Sequence, residues 1–147
     1  LITYGERKLI WEQQHNVAWW EQHFPKLFHN IIEKNPLFMD EEKRNFHLSR
    51  QSGLINKGTY LTSTIAAGSG NTMHIKDAGY FYDGYNIEGE SGDTIQLENQ
   101  TQTALVVKLD KVAHTLTLDQ PLKWSNNQGV TLKYHGAAPD LGAYESQ

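Results

Sequence analysis

Six short runs in which apolar and polar residues alternate fill the chain from residue 61 onward, and they restrict its fold more than anything else in it. Leu61-Thr62-Ser63-Thr64-Ile65, Met73-His74-Ile75-Lys76, Thr94-Ile95-Gln96-Leu97, Thr115-Leu116-Thr117-Leu118 and Val130-Thr131-Leu132-Lys133-Tyr134 alternate, while Ala104-Leu105-Val106-Val107-Lys108-Leu109 is more continuous. A period of two places every second side chain on one face of a strand, so each run can bury one face and wet the other. Gly68-Ser69-Gly70-Asn71, Gly89-Glu90-Ser91-Gly92-Asp93 and Asn126-Asn127-Gln128-Gly129 read as the turns between them. With no internal repeat, this pattern predicts a mainly β chain whose residues 61–134 form a small antiparallel β-barrel or sandwich.

The residues ahead of that module read differently. Trp20, Phe24, Leu27, Phe28, Ile31 and Ile32 share one helical face. Pro25 fits only the first turn of such a helix, so the spacing predicts a helix from about Phe24 to Lys34, ended by Asn35-Pro36. A second short helix is read around Glu6 to Gln14. From Asn35 to Tyr60, brief extended segments at 35–40 and 45–48 flank the charged turn Glu41-Glu42-Lys43-Arg44. Glycines at 53 and 58 mark corners after them.

Two stretches carry a family resemblance. One is Asn35-Pro36-Leu37-Phe38-Met39-Asp40, followed by Asn45-Phe46-His47-Leu48 and by Leu54-Ile55-Asn56-Lys57-Gly58. The other is the tail Ala138-Pro139-Asp140-Leu141-Gly142-Ala143-Tyr144-Glu145. In order and spacing they resemble the last coils and closing run of secreted right-handed parallel β-helix proteins, the pectate-lyase-like group. Ser52-Gly53-Leu54 stands where that group has Ser-Pro-Ala. Gly92-Asp93-Thr94-Ile95 and Thr115 to Leu122 resemble the group's appended modules loosely.

The resemblance implies three regions. Residues 1–60 would hold a helical segment and an irregular end-coil of β-helix type, 61–134 the small β-barrel or sandwich, and 135–147 a strap packing back on the first region. It implies a secreted or cell-surface protein, with this chain as the far end of a longer one. Trp11, Trp19 and Trp20 would cover an open solenoid end, which otherwise exposes strand edges and core side chains. The lyases of this group place a cation or charge-neutralising group and a Lys, Arg or His base on central coils. Those coils would precede Leu1, so no catalytic residue is carried over.

Composition narrows the chemistry. A formal net charge of −4 provides no basic field for nucleic acid. No apolar run approaches the ~18 residues of a membrane span, and Leu1-Ile2-Thr3-Tyr4 lacks the pattern of a signal peptide. The absence of cysteine removes thiolate metal sites and thiol nucleophiles. His15, His23 and His29 lack the spacing of a helical ligand pair. Asp77, Asp83, Glu88, Glu90 and Asp93 form the densest acidic stretch and suggest calcium, but Phe81 and Gly79 stand where a calcium loop needs acids. No cofactor or metal is therefore expected, and the acids read as a solvated turn.

Aromatic residues are the remaining lead. Sugar rings present apolar C–H faces that stack on Tyr and Trp, while nearby Asp, Asn or Gln bond the hydroxyls. Tyr80 and Tyr82 are read on one face of a strand, with Tyr85, Asp83 and Asn86 near them; Trp124, beside Asn126, Asn127 and Gln128, is a second candidate. The function expected is thus a non-catalytic capping and carbohydrate-binding module, partnered by polysaccharide and by upstream β-helix coils. The alternatives are part of a polysaccharide lyase or glycoside hydrolase, and a structural or adhesive surface protein.

Overall fold

A computed structural model describes residues 15–28, 31 and 34–146. They form one helix, α1 (Val17–His23), and eight strands: β1 (Phe38–Asp40), β2 (Asn45–Leu48), β3 (Thr62–Ser63), β4 (Gly68–His74), β5 (Thr94–Leu97), β6 (Thr103–Asp110), β7 (Thr115–Trp124) and β8 (Gly129–Leu132). The chain divides into two compact units, Leu1–Asn35 and Pro36–Gln147.

In the first unit the helix sits one step upstream of the predicted one. Asn16 caps it, its side-chain oxygen accepting from the Trp19 N–H at 2.9 Å. Phe24 ends it with φ −134° and ψ 55°. The cause is Pro25, whose ring excludes the α region for the residue before it, so it terminates the preceding helix instead of opening a new one. The Trp19 ring stacks on His15 and His23, with centroids 3.5 and 4.1 Å away, and meets Trp20 edge-on at 5.1 Å. The helix read around 6–14, together with Trp11, His29 and Ile32, lies outside the described residues.

The second unit is built on a six-stranded antiparallel sheet in the order β3-β8-β5-β6-β7-β4. The residues that follow the two edge strands, Thr64 and Ile75, pair with each other. The sheet thus curls into a half-barrel whose edges meet at one end. Met73, Ile75, Ile95, Leu97, Val106, Leu116 and Val130 fill it, each 1% exposed or less. Their period of two is the alternation of the sequence made solid. At about 25 cal/mol per Å2 of apolar surface removed from water, this interior is the main source of stability.

One predicted turn is strand instead. Gly68 and Gly70 pair with Trp124 and Leu122, and the register shifts before Thr72 meets Thr117. The Trp124 indole lies where a Cβ on Gly68 would stand, its nearest ring atom 2.9 Å from that point. Glycine is needed there for the ring to pack on the backbone, not to make a corner.

The outer side of β5 and β8 is covered too. Gln96 and Thr131 are buried, and the Gln96 side chain donates to Gln100 O at 2.7 Å and accepts from Tyr134 N at 3.2 Å. Tyr60 meets Tyr134 edge-on at 6.2 Å and sits against Gly129.

β1 and β2 form a separate antiparallel hairpin through the turn 41–44, in which Lys43 bonds the Asp40 carboxylate at 2.8 Å. The tail lies along residues 47–58. Gly58 N donates to Pro139 O at 2.8 Å and Leu141 N to Leu54 O at 3.0 Å, and Tyr144 stacks on His47 at 4.4 Å. The buried Asp140 accepts from the N–H groups of Asn56 and Ser146, and Asn56 Oδ1 accepts from Ala137 N and Ala138 N.

Candidate functional site

Tyr80, Tyr82, Tyr85, Asp83 and Asn86 all fall in the connection between β4 and β5, which contains no strand. The strand expected to align Tyr80 with Tyr82 is replaced by a loop that takes its hydrogen bonds from its own side chains. Phe81 is its plug, 3% exposed and part of the half-barrel core. Asp93 and Tyr82 close its base, since Asp93 N donates to Tyr82 O at 2.9 Å and Asp93 Oδ2 accepts from Tyr82 N at 2.8 Å. Val106 N donates to Asp93 O at 2.9 Å, tying this base to β6.

Asp83 bridges the tip and the sheet. Its Oδ1 accepts from Tyr85 N at 3.1 Å and its Oδ2 from Leu109 N at 2.8 Å. Tyr85 and Asn86 then take left-handed backbone conformations, with φ 45° and 56°, where a side chain is tolerated only when the surroundings dictate it. Ile87 N to Gly84 O and Glu90 N to Ile87 O continue the winding. Gly92 turns the chain back to the base, and a Cβ there would meet Val106 O.

This scaffold brings Tyr82 and Tyr85 together, edge to face, with centroids 4.9 Å apart. Tyr85 is 56% exposed and Tyr82 half-buried. Tyr80 is 55% exposed but shares no ring contact with that pair. Lys111, on the β6–β7 turn, was not singled out in the sequence because it is distant from the tyrosines along the chain. Its Nζ lies 3.0 Å from the Tyr85 hydroxyl and 5.6 Å from the ring centroid. Those distances put the ammonium beyond the hydroxyl, near the long axis of the ring, so it makes a hydrogen bond and does not sit over a ring face. The hydrogen bond to Tyr85 raises the Lys111 amine above its ordinary value. Partial burial, then the negative charges of Glu90, Asp83 and Asp93, push the Tyr82 phenol up.

Trp124 belongs to another setting. It is 8% exposed, joins the core and offers solvent only an edge, in a shallow depression shared with Gln100, Gln102, Lys123 and Ser125. The amides near it are committed to the fold, for Asn127 accepts from Ser63 Oγ, and Gln128 accepts from Ser125 N and donates to Glu98 O. The acidic stretch is likewise spent on backbone: Asp77, Asp83 and Asp93 each hold N–H groups of the loop. Among the described residues no three His, Asp or Glu side chains converge as metal ligands, and no helix is long and apolar enough to cross a membrane.

An open cleft of about 630 Å3 lies elsewhere, lined by Met39, His47, Leu48, Ser49, Arg50 and Ser146. Met39 and Phe46, on the β1–β2 hairpin, are 64% and 41% exposed. Among the described residues neither strand of that hairpin pairs with a third. No family model, curated protein or solved structure matches this chain.

Proposed function

We propose that this chain is a non-catalytic module that contacts polysaccharide through the 78–93 loop, as part of a secreted or cell-surface carbohydrate-active protein. The observation that carries this reading is the Tyr82–Tyr85 pair, held by Asp83 and Asp93 with Tyr85 56% exposed. A fixed aromatic pair gives a sugar ring a stacking surface at little cost in lost side-chain freedom. Asn86 and the exposed Tyr80 flank it in sequence as hydrogen-bonding and secondary stacking groups. The two carboxylates nearest the pair serve the backbone, which supports binding over acid–base chemistry.

Isothermal titration of the chain with soluble polysaccharides tests this. Binding is expected, and Tyr85→Ala and Tyr82→Ala are each expected to weaken it about tenfold or more, with circular dichroism unchanged. Binding that survives both substitutions would remove the loop from the proposal.

A capping role rests on a second observation, the β1–β2 hairpin whose outer edges pair with no further strand among the described residues, with Met39 exposed at the apolar cleft and Phe46 exposed on the same hairpin. Such a face suits the end coil of a parallel β-helix. Met39→Lys with Phe46→Lys is then expected to destabilise a chain joined to β-helix coils far more than this chain alone. Equal losses in the two settings would sink the capping role.

A further inference from the structure

We infer that the polysaccharide taken by the tyrosine loop is uncharged, not a uronic-acid polymer; this inference rests on the glycan-contact reading above. The charges around Tyr82 and Tyr85 decide it. Asp83 and Asp93 lie at the tip and base of the loop, their carboxylates held by backbone N–H groups that include those of Tyr85 and Tyr82 themselves. Glu88 and Glu90 follow in the same loop, both exposed. The negative charges of Glu90, Asp83 and Asp93 reach the Tyr82 phenol, so the stacking surface itself lies in a negative field.

The cations nearby are two lysines against four carboxylates of the loop, Lys108 exposed on β6 and Lys111 on the turn after it. Lys111 Nζ is bonded to the Tyr85 hydroxyl and stands near the axis of that ring. No arginine lies in the loop, in β6 or in β7, so the planar fork that grips a carboxylate in two places is missing from these elements. A uronate carboxylate stacked here would meet the like charges of Asp83 and Asp93, which are bonded to the backbone of the two tyrosines themselves, and salt with a Debye length of ~8 Å screens charges that close only weakly. A neutral pyranose brings no such charge. Its hydroxyls can be bonded by the exposed Asn86, Glu88 and Glu90 of the same loop.

The test uses the whole chain titrated with two sets of probes: xylan, mixed-linkage β-glucan and galactomannan as neutral polymers, and polygalacturonate and alginate as anionic ones. At least one neutral polymer is expected to bind about tenfold more tightly than either anionic one at low salt. Raising the ionic strength, or replacing Glu88 and Glu90 by Gln, is expected to narrow that gap. Equal or tighter binding of an anionic polymer, lost in Tyr85→Ala, would overturn the inference and leave the glycan-contact reading standing. Binding of neither class would overturn both.

Discussion

Single residues hold the tail in place. Asn56 lies in the left-handed region at φ 56°, and its side-chain oxygen takes two N–H groups of the tail while its own N–H goes to Asp140. Burial pushes the Asp140 carboxyl up, but the hydrogen bonds from Asn56 and Ser146 outweigh it and leave the group below its ordinary value. A depressed carboxylate stabilises the fold fully above its unfolded value near ~4 and ceases to as pH falls through the lower folded value. Acidification below about pH 4 is therefore expected to release residues 135–146 first. Hydrogen exchange at Leu141 and Ser146 measures it, and Asp140→Asn is expected to lower stability by roughly 1–3 kcal/mol at neutral pH while weakening the acid dependence. An unchanged acid midpoint in that variant would assign the effect elsewhere. Nothing in the local pattern of Asn56 or Asp140 announces this pairing, because it spans most of the chain.

Elements were legible wherever one face alone decides. The six alternating runs became β3 to β8 because a period of two survives any tertiary context that keeps one side dry. The brief extended segments at 35–40 and 45–48 became β1 and β2 for a similar reason. Reading failed where a single residue has two uses. Pro25 opens helices and also closes them, and Asn16, three residues ahead of Trp19, held the capping signal that would have decided the matter. Tyr80-Phe81-Tyr82 has strand composition, yet Asp83 and Asp93 outcompete a ladder for the N–H groups of Tyr82 and Tyr85. Gly68 and Gly70 are turn residues by habit, but here both lie in β4, where Gly68 makes room for an indole and Gly70 takes φ 128°. The candidate site was half visible: Tyr82, Tyr85 and Asp83 meet, Tyr80 stands apart, and Lys111 arrives from a turn that only the curled sheet brings near.

At the scale of the molecule, the half-barrel is one interior shared by six strands, so damage anywhere inside it is felt throughout. Leu116 on β7 has no exposed surface and pairs with Met73 on one side and Leu109 on the other. Leu116→Ala is expected to cost about 2–5 kcal/mol and to lower the denaturation midpoint without altering the tyrosine loop's fold at low temperature. A loss below about 1 kcal/mol would mean that the interior can collapse around the gap. The tail draws on different contacts, its hydrogen bonds running between residues 54–58 and 137–141, with Tyr144 stacked on His47 of the hairpin. The tail is therefore expected to loosen at acid pH while the half-barrel holds.

Trp124 gives this molecule an internal lamp. Of four tryptophans, Trp11, Trp19 and Trp20 belong to the first 35 residues, and Trp124 alone lies in the second unit, sealed against Gly68 within the half-barrel. With the other three replaced by Phe, emitted light would come from the barrel interior only. Its colour would shift red when water enters and stay blue while the tail comes and goes.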